Sequence, residues 1–137
     1  MSGYDAIVLD GGYLYGLINL KLLNEVSNLS SIKKFGGIGI GGLIATLLSI
    51  GYTISEIESL MKSNDFNEII FGSSKIFPFS RETHQISFYD DKNLLCFLKD
   101  IVYKKTGSTK TTFAQLKTNM DRDLVLMCTG FDTLESF

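Results

Sequence analysis

Residues 4 to 10, YDAIVLD, form a short apolar run that stops at Gly11-Gly12, the pattern of a buried strand. From 14 to 27 the rhythm changes: Leu14, Leu17, Ile18, Leu22 and Val26 recur at helical spacing. A polar break, Asn28 to Ser31, separates this helix from Lys33 to Phe35 and a glycine-rich turn. An apolar helix then runs from Gly42 to about Ile50, where Gly51 can close it. Thr53-Ile54-Ser55-Glu56 has the spacing of a capping box and opens a further helix to about Lys62. Residues 63 to 90, with Pro78 and scattered aromatics, read mostly as loop. Leu94, Phe97, Leu98 and Ile101 share one face of a helix from Asn93 to Lys105. Thr112 to Leu116 reads as a helical turn, and Asp123 to Thr129, DLVLMCT, as a second buried strand. With no repeat and no low-complexity linker, residues 1–137 are expected to form a single α/β domain.

Phe35 to Ser55 is uncharged and long enough to raise the question of a membrane span. Its first part is rich in glycine and it ends in the turn signal Gly51-Tyr52-Thr53, so a short core helix is expected instead. Composition narrows the functional classes. Thirteen basic residues against 15 acidic ones give a net charge of −2, which lacks the basic footprint of a nucleic-acid binder. Hydrophobic residues make up 45% of the chain, enough for a core and too many for disorder. Cys96 and Cys128 are too few for a disulfide scaffold; they point to an intracellular, cytoplasmic setting and read as small core hydrophobes. His84 is the one histidine and reads as a loop residue, so histidine catalysis, metal binding and a cofactor are not implied. The amino terminus lacks a basic signal-peptide region. Eleven of the 13 basic residues are lysine, a bias that fits the AT-rich genome of a virus or a parasite.

Residues 7 to 23, IVLDGGYLYGLINLKLL, resemble the DGGGxRG segment that opens patatin-like phospholipases, serine acyl hydrolases of lipid esters. Gly37-Ile38-Gly39-Ile40-Gly41 and the apolar run after it resemble their nucleophile elbow, G-x-S-x-G. Phe88-Tyr89-Asp90 through Leu94, Thr112-Phe113 through Leu116 and Asp123 to Thr129 follow the family's later motifs in order. The resemblance implies a three-layer α/β/α fold around a mainly parallel sheet. It assigns Gly11, Gly12, Tyr13 and Gly16 to the oxyanion turn and Gly37, Ile38, Gly39, Ile40 and Gly41 to the elbow. In the family a serine attacks the ester carbonyl, an aspartate takes its proton, and backbone amides hold the developing oxyanion.

The chain departs from that pattern where the chemistry sits. Gly39 stands at the serine position and offers no nucleophile, while Ser30, Ser31 and Ser49 fall outside the turn. Ile38 and Ile40 are bulky where the family is small, Tyr13 replaces the third glycine, and Tyr15 replaces the basic residue. Asp10-Gly11-Gly12 is the DGG of the oxyanion turn, and the family's aspartate motif falls beyond residue 137. The expectation is a truncated, catalytically inactive relative acting as a structural or binding component. Its incomplete sheet is expected to seek a protein partner or a second copy, with a lipid or membrane surface as another ligand and a virion or membrane-peripheral location. The alternative is a lipid acyl hydrolase completed by another chain or by residues outside this stretch. Gly37-Ile38-Gly39-Ile40-Gly41-Gly42 also fits G-x-G-x-x-G, which makes a nucleotide-binding domain a minor alternative. Phe71, Phe77, Phe79 and Phe88 are candidates to cover a pocket or pack on the core.

Overall fold

The computed structural model describes residues 4–26, 29–71 and 91–128. Three strands, β1 (Ala6–Leu9), β2 (Lys34–Ile38) and β3 (Asp123–Met127), form a parallel sheet in the order β1-β2-β3. Helices α1 (Tyr13–Asn24), α2 (Gly39–Ser49), α3 (Ile54–Met61), α4 (Asn64–Phe71), α5 (Asp91–Thr106) and α6 (Phe113–Met120) connect them. The fold is therefore α/β with a parallel sheet, as the order of elements in the sequence predicts.

Side chains alternate across the sheet. Ile7, Phe35 and Leu124 lie in one row of one face, with Leu9, Gly37 and Leu126 in the next row. On this face α2 packs against all three strands, α1 rests on α2 and α3, and α4 joins α3 to α5. Helix α2 is apolar nearly all round because it is wrapped: Ile44, Ala45, Leu47 and Leu48 are buried, each large side chain contributing about 1.5–3 kcal/mol of transfer energy. At the amino end of the sheet the Arg122 guanidinium donates to the Ile32 carbonyl (2.6 Å) and lies over the Phe35 ring. Lys33 pairs with Asp121 there, and Lys117 with Asp121 and Asp123.

Several expectations are corrected. Both terminal strands read as buried, yet Val8 is 81% and Val125 66% exposed, because among the described residues the helices lie on one face only. The second helical layer of the three-layer arrangement is not among the described residues. Helix α2 begins at Gly39, three residues before the expected start, and Gly37 belongs to β2 rather than to a turn. Residues 64–71 form α4 instead of loop, with Ser63 Oγ accepting from the Phe66 amide at its start and Phe66 fully buried. The turn at Thr112 to Leu116 is a full helix to Met120. Cys96 and Cys128 are exposed thiols, not core residues. His84, Pro78, Phe77, Phe79, Phe88 and Thr129, and the side chain of Phe71, lie outside what is described. The apolar stretch after Phe35 divides into β2, α2 and a turn at Gly51 (φ 94°), and no helix among the described residues is long and apolar enough to cross a membrane.

Candidate functional site

Two glycine turns meet at the carboxyl ends of β1 and β2. The first leaves β1 at Asp10, whose carboxylate accepts a hydrogen bond from the Gly11 amide (2.7 Å). Gly12 precedes α1 at φ 94°, a backbone conformation that costs an L side chain strain. The second turn is sharper: Ile38 is extended (φ −129°, ψ 144°) and Gly39 begins α2 at φ 55°. A Cβ on Gly39 would have the Gly11 Cα, at 3.8 Å, as its nearest neighbour, and one on Gly11 would lie 3.6 Å from the Ile38 carbonyl oxygen. The two turns therefore face each other, with open space over residue 39.

The other glycines are there for packing. A Cβ on Gly37 would sit 2.5 Å from the Gly41 carbonyl carbon, and one on Gly41 would fall within the carbonyl groups of Leu9 and Asp10. Gly42 is less severe, at 3.2 Å from the Gly37 oxygen. The glycines let the first turn of α2 press directly onto β1 and β2, which is what holds Gly39 at the apex. Gly16 sits one turn into α1, where a Cβ would meet Ile40 Cγ1 and Met61 Cε, each at 3.0 Å; it is a contact between helices, not part of the turn. Ile40 is half-buried against that contact, while Ile38 is 41% exposed beside Gly39. Tyr13 opens α1, and its side chain lies outside what is described.

Neither helix start carries a side-chain cap: Gly12 precedes α1 and Ile38 precedes α2. The first-turn amides of both helices are thus left without a side-chain acceptor, a local environment that favours a carbonyl oxygen or an anion. Ser30, Ser31 and Ser49 do not reach the space over residue 39. Ser49 is buried at the far end of α2 with its hydroxyl donating to the Thr46 carbonyl (2.7 Å). Ser30 and Ser31 precede β2, roughly 16 Å from its carboxyl end by strand rise. The dinucleotide fingerprint fares no better: its first glycine lies inside β2, and the acids about 20 residues on that would have to bind the ribose, Glu56 and Glu58, lie in α3 rather than at a strand end.

The described residues thus form a parallel α/β sheet with facing glycine turns at the ends of adjacent strands, one of them opening straight into an apolar helix. The family description Patatin-like phospholipase matches residues 7–133, and the chain belongs to that family. It is similar to the "Uncharacterized protein R571" of Acanthamoeba polyphaga mimivirus, with 30% identity over 118 residues, covering 83% of this chain and 39% of the relative. It is likewise similar to the "Probable lipid hydrolase 463L" of Invertebrate iridescent virus 6, with 31% identity over 127 residues, 90% of this chain and 42% of the relative. The chain spans about two fifths of the length of these curated relatives. No solved structure matches.

Proposed function

We propose that this chain is a catalytically silent patatin-like domain, a structural or lipid-binding component of a larger assembly rather than an ester hydrolase. One observation carries the reading: Gly39, at φ 55° on the sharp bend between β2 and α2 and facing Gly11, has no side chain. In acyl transfer the attacking group must stand within reach of the amides that hold the oxyanion. A hydrogen in that place leaves a frame able to hold a carbonyl or a phosphate group and unable to attack it. The same bend holds a serine under strain of about 1–3 kcal/mol, and glycine adopts it freely. Acyl chains and phospholipid head groups are the ligand class suggested by the relative named as a lipid hydrolase.

The second reading is a hydrolase completed from elsewhere. It is favoured by the partial coverage of the relatives, whose further length has room for an acid. Incubation with a p-nitrophenyl ester and a fluorophosphonate probe separates the two. The chain as it stands is expected to show neither turnover nor labelling, and labelling of any serine overturns the proposal. Gly39→Ser is expected to remain inactive for want of a base. Ester hydrolysis by that variant establishes the second reading.

A further inference from the structure

Charge is not spread evenly along the chain. Residues 91–120 carry six lysines against two aspartates, whereas residues 4–71 carry four basic residues against seven acidic ones. The basic stretch is α5, α6 and the connection between them. Helix α5 turns Ile101 into the core, with Phe97 and Leu98 packed beside it, so its opposite side faces outward. At helical spacing that outer side carries Leu95, Cys96, Lys99 and Tyr103. Leu95 is 52% and Tyr103 57% exposed, and Lys104 is exposed on the flank of Tyr103. The mixture continues past the helix, where Lys110 is exposed in the connection and Phe113, also exposed, opens α6.

Some of these lysines are occupied within the fold: Lys105 is held by Glu56, and Lys117 by Asp121 and Asp123. Lys99, Lys104 and Lys110 pair with no acid among the described residues. Lys104 suits the last turn of α5, where a cation meets the negative end of the helix dipole; Lys99, in mid-helix, and Lys110, in the connection, have no such role. Unpaired ammonium groups beside exposed leucine and aromatic side chains match the surface of an anionic bilayer. Its head groups attract lysine, and its interface takes up leucine, phenylalanine and tyrosine. Lysine stems lie along apolar surface while their ammonium groups reach the phosphates. A nucleic acid would account for the charge and leave Leu95 without a role. The acidic remainder of the chain is repelled by the same surface, which turns the α5 side toward it.

We infer that the outer side of α5, with Lys110 and Phe113 beyond it, is a docking surface for an anionic phospholipid bilayer. Contact is peripheral, since no helix among the described residues is long and apolar enough to cross a membrane. Docking of this kind goes beyond the proposed function and holds whether or not residue 39 is silent.

Sedimentation with vesicles tests it. The chain is expected to bind vesicles of phosphatidylcholine containing about one third phosphatidylserine, and to bind phosphatidylcholine alone at least about tenfold more weakly. Raising the salt from about 0.1 to 1 M shortens the screening length from about 10 Å to about 3 Å and should release most of the bound chain. Each lysine near such a surface is worth about fivefold in affinity, so Lys99→Gln, Lys104→Gln and Lys110→Gln together should weaken binding about a hundredfold. Leu95→Ser with Tyr103→Ser should weaken it about tenfold, through lost apolar contact. Removing as many charges elsewhere, by Lys21→Gln, Lys34→Gln and Lys62→Gln, should change binding by less than about threefold, because screening confines the attraction to charges near the surface. All these positions are exposed, so the variants are expected to keep the Tm of the chain. The lipid and salt comparisons need no variant and decide the matter even where one fails to fold. Equal binding to both kinds of vesicle, no binding to either, or equal losses in the two lysine triples overturns the inference. So does retention on an RNA homopolymer without binding to vesicles, which would assign the lysines to nucleic acid. Ester turnover is not a readout of this experiment, so its failure leaves the reading of Gly39 standing.

Discussion

The glycines of residues 37–41 look equivalent in sequence and differ in what they do. Gly37 and Gly41 have no room for a methyl group, and their obstacles are backbone carbonyls that cannot turn aside. Gly39 has room and lacks only a relaxed φ. Substitution by alanine should therefore rank them. Gly41→Ala and Gly37→Ala are expected to cost more than about 3 kcal/mol in urea unfolding, as severe overpacking against backbone. Gly39→Ala is expected to cost about 1–2 kcal/mol, the strain of a left-handed residue. An equal loss at all three positions would contradict the separation of packing from apex. The spacing of these glycines was legible in the sequence, as was the likeness to an elbow. The division of roles was not, because it depends on how close α2 lies to β1, a distance between elements far apart in the chain. Asp10 shows the same limit: DGG is readable, but the hydrogen bond that its carboxylate accepts from Gly11 is a matter of geometry.

Elements were legible where local chemistry fixes their ends. Thr53 and Glu56 form the expected box at the start of α3, each side chain accepting from the other's backbone amide. The same signature at Thr112 and Gln115 starts α6, and only its length escaped a reading that stopped at Leu116. Helix α4 was missed because its aromatic and asparagine content resembles loop; Ser63 followed by the buried Phe66 was the available signal. Thr53→Ala should cost about 1 kcal/mol. Glu56 does a second job, since Lys105 donates to it from α5 (2.8 Å) while lying over the Tyr52 ring, and Tyr52 donates to the Ile101 carbonyl (2.9 Å). The Lys105 bond first, and the Thr53 amide second, hold the Glu56 carboxyl at about 2, down from 4.5. A lowered carboxyl stabilises the fold above its unfolded value and loses that contribution as pH falls through the folded value. The Tm of the chain should therefore drop between pH 4.5 and 2, with a smaller drop in Glu56→Gln. Equal slopes for the two proteins would remove Glu56 from the acid response.

For the whole molecule, the packing is centred on α2 rather than on the sheet. That helix touches all three strands, α1 and α3, and its residues Ile44, Ala45 and Leu47 are fully buried. Strand β2 is bonded on both sides, whereas β1 and β3 are edges with one face open among the described residues. Local opening follows the density of such contacts, so protection from exchange should fall outward from the α2–β2 pair. In hydrogen–deuterium exchange, amides of residues 44–50 and 35–37 are expected to exchange last, near the free energy of global unfolding. Those of Val8 and Val125 should exchange earlier, through opening of the edges. Exchange in β3 slower than in α2 would place the stable nucleus in the sheet instead. The order matters for function because Gly39 sits where β2 becomes α2. The slowest-exchanging segments then flank the bend at Gly39 on both sides and hold it in place. On the proposed reading, Gly39 leaves that frame in place without an attacking group.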